Sequence, residues 1–402
     1  MTATSKISRR SIVTSMLCAL ALPCAPAMAV EGARLASSMR SLLEQTGIPG
    51  MTFAVFGAGL DRSDAAGLAD REARTSMRPT TLMMGASTGK MIVAVLIYQE
   101  IQAQRLRLDD KVSRYLGDDA EYMKLPGAAD FTIAMLLSHS SGLVDGAVDY
   151  AAMENSSGIW TSDRRFRAAQ KTKLLFPPGS RYSYSDLNYQ VLAAVLERIE
   201  GKSYEQLAVE KVLLPLQMRH TVPALHPHIA GLASGYAGPT TKPQYEGIHL
   251  PDKTASAGTL FMNPAFEGGG GGFATCSHDM AKFIFTVFNG GLIDAAQLHH
   301  MTGEDAVLPV QTEFPRVAAG VFAYKTPLGE AFGHSGLWFG YKTLVLYFPE
   351  RKLGAAMQVN SQIDASGADL EVFRMEGKEF TMVEALSQLV LESTASTNGA
   401  RS

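Results

Sequence analysis

The chain has 402 residues, of which 46 % are hydrophobic and 19 % are charged, and its formal net charge at pH 7 is −3. This length and hydrophobic content are sufficient for a large buried core, in one large domain or two smaller ones. The sequence contains no stripe of basic residues, which argues against nucleic acid as a partner.

Residues 1–29 have the features of an export signal. Lys6, Arg9 and Arg10 precede an uncharged segment, 11–29, that ends in Ala-Met-Ala. A basic start, a short apolar stretch and small residues at a cleavage point are typical of a secretory signal peptide. The arginine pair resembles a twin-arginine signal, and an ordinary signal with two incidental arginines is the alternative. We therefore expect a periplasmic or secreted protein with no stable membrane insertion after the signal is removed.

Removal of this segment changes the charge and the cysteine content. Cleavage after residue 29 removes three of the 36 basic residues and none of the 39 acidic ones, so the net charge becomes about −6. Cys18 and Cys24 leave with the signal, and only Cys276 remains. One cysteine cannot form an internal disulfide, so the packing of the core must stabilise the domain.

The hydrophobic pattern predicts a helix and then a β-hairpin at the start of the remaining chain. Apolar residues at helical spacing occupy 33–45, and 48–57 and 65–68 have the composition of strands. A third short extended segment is predicted over 80–84. A long helix is predicted over 87–105, and its apolar residues on most sides are typical of a helix inside a core.

The middle of the chain, about residues 107–254, is predicted to be an all-helical region inserted into an α/β domain. Helical patterns cover 132–138, 187–199 and 204–214, whereas 240–264 has the composition of a loop. Strand and helix patterns alternate again after a run of five glycines at 268–272. We predict helices over 277–288 and 381–391, and strands over 317–324, 342–348 and 354–359.

Ser87 is the first candidate for a catalytic residue. It lies three positions before Lys90 at the start of a predicted helix, so the two side chains share one face, with Cβ atoms roughly 5–6 Å apart. The lysine amine can then reach the serine oxygen, beside the backbone N–H groups and the positive dipole of the helix N-terminus. Ser-x-x-Lys is common by chance, however, and is a weak signal alone.

Ser87 is also the serine of a Gly-x-Ser-x-Gly match at 85–89. That pattern marks the nucleophile elbow of α/β-hydrolases, which requires a strand, a helix and a later acidic residue and histidine. His334 is a candidate for the late histidine. The sequence before Ser87 lacks the oxyanion loop of such enzymes, and its strands indicate a hairpin rather than strand–helix units. The Ser-x-x-Lys interpretation is therefore favoured.

Two further motifs follow Ser87 in a familiar order. Tyr-Ser-Asp stands at 184–186 and His-Ser-Gly at 334–336, and the segment 136–143 reads Leu-Leu-Ser-His-Ser-Ser-Gly-Leu. With these motifs the chain resembles the serine β-lactamase and penicillin-binding-protein superfamily over about residues 48–359. The resemblance is greatest to the branch of class C β-lactamases, D-aminopeptidases and related esterases.

The resemblance implies a β-lactamase/transpeptidase-like α/β fold, in which an antiparallel sheet is flanked by helices and a helical region is inserted. The serine hydrolase domain then spans 30–394. Its α/β part covers about 30–106 and 255–394, and its helical part covers about 107–254. Residues 395–402 are expected to be a flexible tail.

The resemblance also implies roles for individual residues. Ser87 attacks a carbonyl carbon and forms an acyl-enzyme, and Lys90 and Tyr184 exchange its proton in an order that the sequence leaves open. Tyr184 then needs a phenol pKa that is lowered by the neighbouring ammonium. The backbone N–H groups of Ser87 and Leu337 are expected to form the oxyanion hole. We expect the substrate-binding part of the site to comprise Asp186, His334, Ser335, Gly336 and Leu337.

Two departures from the superfamily motifs bear on the substrate. Asp186 replaces an asparagine and lacks the amide that donates to a substrate carbonyl; an N-cap for the helix from residue 187 is the alternative role. His334 replaces a lysine that would bind a substrate carboxylate, and histidine is mostly neutral near pH 7. We therefore expect a peptidase acting on short or unusual peptides, with a carboxylesterase or β-lactamase of the same fold as alternatives. A penicillin-binding sensor without turnover is the alternative from another functional class.

The sequence indicates no cofactor and no metal site. His220, His226 and His228 lack a clear ligand set, and the glycine run at 268–272 lacks the Gly-Lys-Ser/Thr ending of a phosphate loop. Cys276 is expected to be a buried thiol. The expected partner is a small peptide or ester substrate, and the sequence leaves the oligomeric state open.

Overall fold

The computed structural model describes residues 25–145, 158, 160–237, 250–303, 316–363, 372–375 and 378–395. Most of the predicted signal peptide, residues 240–249 of the predicted loop over 240–264, and most of the predicted tail lie outside these residues. None of the helices in the described part of the chain has the length and hydropathy of a membrane span.

An eight-stranded antiparallel sheet forms the centre of the α/β part, as expected. Strand Gly50–Gly57 pairs with its hairpin partner Leu60–Asp70 on one side and with Leu353–Val359 on the other. The beginning and the end of the domain therefore meet in the middle of one sheet. In spatial order its strands are Arg316–Val317, Phe322–Thr326, Gly329–Trp338, Tyr341–Phe348, Leu353–Val359, Gly50–Gly57, Leu60–Asp70 and Thr75–Ser76.

The single strand predicted over 317–324 is wrong in one respect, because a turn interrupts it. Gly320 has a φ of +126°, and the Ala318 N–H donates to the Val321 carbonyl at 3.0 Å. The turn residues are themselves small or apolar and buried. Their pattern therefore does not differ from that of a buried strand.

Side chains of the sheet alternate between two layers of helices, as the two-residue period of a strand requires. Phe53 and Val55 pack in a core with the helices Ala25–Thr46 and Met382–Thr394. Ala54, between them, points to the opposite core. That second face is covered by the helix Ser277–Phe288, which has the predicted bounds.

A helix that is buried on all sides, Lys90–Gln102, is called the core helix here. It continues a 3₁₀ turn at Ala86–Gly89, so the prediction of a helix from Ser87 is confirmed with a tighter first turn. Every residue from Met91 to Tyr98 is at most 1 % exposed. Burial on all sides explains why this segment shows no amphipathic pattern.

The inserted region packs one long helix against the core helix. This helix, Asp186–Glu200, is called the insert helix here, and its predicted apolar stripe is buried. Gly201 ends it in the left-handed conformation, with a φ of +66°.

The inserted region is not entirely helical, contrary to the prediction. Val222–Pro223 pairs with Phe273–Thr275, which also pairs with Met83–Met84. Gly235–Tyr236 pairs with Lys253–Ser256. These short strands satisfy backbone N–H and C=O groups where the inserted region rejoins the α/β part.

The other described elements are short. The helical ones are Ser113–Leu116, Tyr122–Lys124, Ile133–Leu137, Ser162–Ala169, Tyr204–Ala208, Val209–Leu213, Pro264–Phe266, Gly268–Gly270, Ala295–Thr302 and Pro349–Arg351. The extended ones are Thr259–Leu260, Val372–Met375 and Lys378–Thr381.

Leu192 tests the packing of the insert helix. Its side chain is 0 % exposed in the largest core, so Leu192→Ala leaves a cavity and is expected to lower the free energy of unfolding by about 2–5 kcal/mol. Leu214, which is 66 % exposed, provides the control Leu214→Ala. Urea unfolding followed by circular dichroism measures both changes, and equal losses in the two variants would contradict the buried position of this helix.

Candidate active site

Three segments of the chain lie against the turn at the start of the core helix. They are the N-terminus of the insert helix, the strand Gly329–Trp338, which is called the histidine strand here, and the glycine run at 268–272. Two glycines permit this close approach. A Cβ atom on Gly336 would lie 2.2 Å from the Gly85 carbonyl oxygen, and one on Gly271 would lie 2.3 Å from the Ala86 carbonyl oxygen.

Ala86, the residue before Ser87, adopts a strained backbone conformation. Its φ is +48°, in the left-handed region that residues with a Cβ atom rarely adopt. Ala86 is 2 % exposed, and it is held between the histidine strand and the glycine run. Strain of this kind persists only where the surrounding structure determines the backbone, and it is frequent beside active sites.

The predicted pair of Ser87 and Lys90 is brought together. The Lys90 side chain is 0 % exposed, and its ammonium group donates to Ser87 Oγ at 3.1 Å and to Asp186 Oδ1 at 2.5 Å. It also donates to the carbonyl oxygen of Gly270, in the glycine run. Ser87 therefore has Lys90 as its hydrogen-bond partner, as the Ser-x-x-Lys interpretation requires, and the nucleophile-elbow interpretation is not supported.

Asp186 has a role that neither sequence interpretation anticipated. The N-cap of the insert helix is Ser185, so the alternative of an N-cap at Asp186 is wrong. Asp186 is instead the first helical residue, and its carboxylate forms an ion pair with Lys90. Its backbone N–H donates to Asp145 Oδ1 at 2.9 Å. An asparagine here would carry no charge, so the aspartate compensates the buried ammonium; a role in substrate binding stays a prediction.

Tyr184 lies beside the Ser87–Lys90 pair, but its pKa is raised, whereas the sequence analysis predicted a lowered pKa. Lys90 Nζ is 5.0 Å from the centre of the phenol ring. Burial, and then the negative charge of Asp186, raise the pKa of Tyr184 well above its usual value of 10. Ser87 lowers the pKa of Tyr184. No described group, Ser87 included, meets hydrogen-bond geometry with the phenol oxygen. The expected lowering is wrong because the ammonium faces the ring rather than the hydroxyl and is paired with Asp186.

His334 is a buried, neutral imidazole. Its side chain is 4 % exposed, and its Nδ1 bonds the carbonyl oxygen of Ser335. A carbonyl oxygen only accepts, so Nδ1 carries the proton and Nε2 has the free lone pair. Nε2 is buried and has no hydrogen-bond partner among the described residues. Burial, and then the charge of Lys90, lower the pKa of His334 to about 3, which agrees with the expected neutral form.

The other predicted substrate-binding residues of the histidine strand lie on opposite faces of the sheet. Successive side chains alternate, so Gly336 lies on the same face as His334, whereas Ser335 and Leu337 lie on the opposite face. Ser335 is exposed and interacts with Tyr324. The side chains of Ser335 and Leu337 therefore do not join the cluster around Ser87. Roles of their backbone groups towards substrate stay predictions.

Glu267 is a titratable residue of the site that the sequence interpretation missed. It is 7 % exposed, and its Oε2 is 3.3 Å from where a Cβ atom on Gly270 would lie. Burial, and then the negative charge of Asp186, raise the pKa of Glu267 to about 8, whereas Lys90 acts in the opposite direction. The sequence marks Glu267 by its position alone, as a single acidic residue between an apolar segment and five glycines.

Two side chains of the inserted region hold the segment that contains Glu267. Arg165 is buried and donates to the carbonyl oxygens of Ala265, at 2.7 Å, and Phe266, at 2.9 Å. Gln190, on the insert helix, donates to the Phe266 oxygen at 3.1 Å. These bonds fix the segment that presents the Gly270 carbonyl to Lys90.

The described residues include one cluster with metal-ligand side chains. Ligand atoms of His220, Cys276 and Asp279 lie within 4.8 Å of one another. Asp279 accepts from the His220 N–H at 2.8 Å and from the Thr221 hydroxyl at 2.9 Å. Burial, and then Asp279, raise the pKa of the Cys276 thiol to about 12. The predicted buried thiol is confirmed, and the prediction of no metal site stays a prediction.

Known proteins share this fold at low sequence identity. The D-amino acid amidase of Ochrobactrum anthropi SV3 superposes with a TM-score of 0.74 and 20 % identity, covering 92 % of this chain and 99 % of the amidase. A penicillin-binding protein homologue of Pyrococcus abyssi superposes with a TM-score of 0.66 and 21 % identity, covering 89 % of this chain and 77 % of the homologue.

Sequence relatives match the chain in part. A teichoic acid D-alanine hydrolase of Staphylococcus aureus is 28 % identical over 212 residues, which are 52 % of this chain and 50 % of the hydrolase. Esterase EstB of Burkholderia gladioli is 37 % identical over 164 residues, which are 39 % of this chain and 42 % of the esterase. The chain thus spans about half the length of the curated relatives it matches.

The Beta-lactamase family matches this chain over residues 35–376, which include Ser87, Lys90, Tyr184 and His334. This range contains the whole eight-stranded sheet, the core helix and the whole inserted region. The chain therefore belongs to the Beta-lactamase family, and the superfamily and the fold inferred from its motifs are confirmed.

Proposed function

We propose that the chain is a serine hydrolase that cleaves amide bonds of short or unusual peptides through an acyl-enzyme on Ser87. The observation that carries the proposal is the 3.1 Å contact of Lys90 Nζ with Ser87 Oγ at the start of the core helix. Tyr184 lies against the same ammonium group. Membership of the Beta-lactamase family, and relatives named as hydrolases and esterases, support this class of reaction.

In the acylation step Ser87 Oγ forms a bond to the substrate carbonyl carbon. Its proton passes to the phenol oxygen of Tyr184 while Tyr184 gives its own proton to the leaving nitrogen, and the C–N bond breaks. Tyr184 is neutral before and after this exchange, which fits its raised pKa. Lys90 is already paired with Asp186. It therefore acts as a hydrogen-bond donor that stabilises the negative charge developing on Ser87 Oγ.

Water completes the reaction in the place left by the amine. Its hydroxide part adds to the acyl carbon and its proton passes to Tyr184, which returns a proton to Ser87 Oγ as the ester bond breaks. The N–H groups of Ser87 and Leu337 are the proposed donors to the oxyanion in both steps. The loss of one such donor typically lowers the rate by on the order of 10²–10³.

The charges of the site support an acyl group without a carboxylate. His334 is neutral, and the charge of Lys90 is compensated by Asp186. Neither residue offers a positive charge to a penicillin-type carboxylate, so β-lactam hydrolysis is disfavoured as the main activity. The name of the Staphylococcus aureus relative, teichoic acid D-alanine hydrolase, is the reason to include a D-alanyl group among the substrates tested.

A carboxylesterase is the second candidate function. It is favoured by the 37 % identity with esterase EstB and by the same neutral His334. Either activity is proposed to operate in the periplasm or outside the cell, because residues 1–29 have the features of a secretory signal.

Ser87→Ala is expected to abolish the hydrolysis of p-nitrophenyl esters, because no nucleophile remains to form the acyl-enzyme. Circular dichroism and the melting temperature should stay close to those of the wild type. Ser76→Ala, at an exposed serine on the far edge of the sheet, is the control and should keep full activity. A fluorophosphonate probe should label the wild type and not Ser87→Ala; near wild-type turnover by Ser87→Ala would contradict the assignment.

Turnover separates the enzyme from the sensor. We expect an initial burst and then steady release of product from at least one member of a panel of p-nitrophenyl esters and L- and D-amino acid p-nitroanilides, because intact Lys90 and Tyr184 can move the protons of deacylation. Stopped-flow absorbance measures both phases. A burst of one equivalent with no later turnover on every substrate would instead assign a sensor.

Glu267 makes stability depend on pH in a defined direction. Its pKa is about 8 in the folded protein and near 4.5 in the unfolded chain. The contribution of Glu267 to the free energy of unfolding is therefore complete below pH 4.5. It is lost as the pH rises through 8, by up to about 1.4 kcal/mol per pH unit. Relative to Glu267→Gln, the wild type is expected to lose melting temperature between pH 5 and pH 8. Glu44→Gln, at an exposed glutamate, is the control, and a constant difference for Glu267→Gln would contradict the buried neutral carboxyl.

A further inference from the structure

We propose that His139 is a positioning residue for Tyr184, which it holds by its ring, its Nδ1 atom and its carbonyl oxygen. The proposal rests on the proposed function, in which Tyr184 exchanges protons with Ser87. His139 lies in the segment 136–143, which belongs to the motifs shared with the superfamily but has no part in the reaction described above.

The backbone of His139 and its side chain bond on both sides of Tyr184. The N–H of Ser183 donates to the His139 carbonyl oxygen at 2.9 Å. The N–H of Ser185 donates to His139 Nδ1 at 3.2 Å. The residue between these two anchors is Tyr184, so the two bonds restrict the movement of its backbone.

The imidazole also covers one face of the phenol ring. The ring centres of His139 and Tyr184 are 4.3 Å apart and their planes differ by 27°, which is a stacked arrangement. Tyr189 packs on the imidazole as well, with ring centres 5.1 Å apart. His139 is 2 % exposed, so this contact is closed to water.

Ring packing is important for Tyr184 because no described group meets hydrogen-bond geometry with its hydroxyl. Ser87 is close enough to lower the pKa of Tyr184, but it does not fix the direction of the phenol ring. A tyrosine that is not tied by its hydroxyl is oriented by its ring contacts and its backbone, and His139 supplies both. A displacement of about 1 Å at a reacting group can lower a rate by about 100-fold.

This role requires the neutral imidazole with its proton on Nε2. Nδ1 faces two N–H donors, the backbone of Ser185 and the side-chain amide of Asn188, each at 3.2 Å. Only a nitrogen with a free lone pair accepts such bonds. Burial, and then the charge of Lys90, lower the pKa of His139 well below 6.5, which keeps the lone pair available.

His139 is itself held by the insert helix. Its φ is +54°, a left-handed conformation in which histidine is less strained than most residues. The Ser141 hydroxyl donates to Asn188 Oδ1 at 2.6 Å, and the Tyr189 hydroxyl donates to the Leu137 carbonyl at 2.9 Å. The segment around His139 therefore moves with the insert helix, whose first residue pairs with Lys90.

Two variants separate the contacts of His139. His139→Phe keeps a ring against Tyr184 but removes the Nδ1 acceptor, whereas His139→Asn keeps an acceptor and tolerates the left-handed backbone but removes the ring. Each is expected to lower kcat for a p-nitrophenyl ester by about 100-fold, with KM changed less than about threefold. His226→Asn, at an exposed histidine, is the control and should match the wild type.

A double-mutant cycle with Tyr184→Phe tests whether His139 acts through Tyr184. In the Tyr184→Phe background, His139→Asn is expected to cause no further loss of kcat beyond about threefold, because the group that it positions has been removed. Multiplicative losses would overturn the proposal. So would losses of kcat that disappear after correction for the folded fraction, measured by circular dichroism at the assay temperature.

The experiments distinguish a failure of the proposed function from a failure of the role proposed for His139. A fully active Ser87→Ala variant would remove the acyl-enzyme mechanism, whereas a fully active Tyr184→Phe variant, with Ser87→Ala inactive, would leave the nucleophile in place and overturn the role of His139. If His139→Phe does not fold, the test rests on His139→Asn and its double-mutant cycle with Tyr184→Phe. The rate of fluorophosphonate labelling of Ser87 is then the second measurement.

Discussion

The ion pair between Lys90 and Asp186 is the constraint on which the arrangement of the site depends. The Lys90 side chain is fully buried, and removing an ammonium group from water costs several kcal/mol unless partners surround it. Those partners come from separate parts of the chain: Ser87 on the preceding turn, Asp186 on the insert helix and Gly270 in the glycine run. The inserted region must therefore dock correctly before the lysine can be buried at acceptable cost.

The same ion pair determines the charge state of the neighbouring groups. Because Asp186 compensates Lys90, the ammonium does not acidify Tyr184, and burial raises the phenol pKa instead. The carboxylate of Asp186 also helps to raise the pKa of Glu267. A site arranged in this way holds its protons on Tyr184 and Glu267 near neutral pH. Proton exchange through a neutral phenol follows from that state more directly than attack assisted by a resident phenolate.

Local patterns predicted the parts of the structure that depend on nearby residues. The two-residue alternation around Phe53 and Val55 corresponds to a real strand with two covered faces, and the three-residue spacing placed Ser87 beside Lys90. The partner of Lys90 was not predicted, because Asp186 lies 96 positions later and its local context resembles an N-cap. The acidity of Tyr184 was predicted with the wrong sign, since burial and a compensating charge become visible only when the chain is folded.

The glycine run shows why composition alone understates the order of the site. Five glycines in sequence suggest flexibility, yet several of them remove a Cβ atom that would collide with a neighbouring segment. On Gly269 that atom would lie 2.3 Å from the Tyr189 carbonyl oxygen, and on Gly268 it would lie 2.5 Å from the Arg165 guanidinium. The run therefore lies directly on the insert helix and is held there by Arg165. Its glycines allow a close approach of backbones, and that approach brings the Gly270 carbonyl to the ammonium of Lys90.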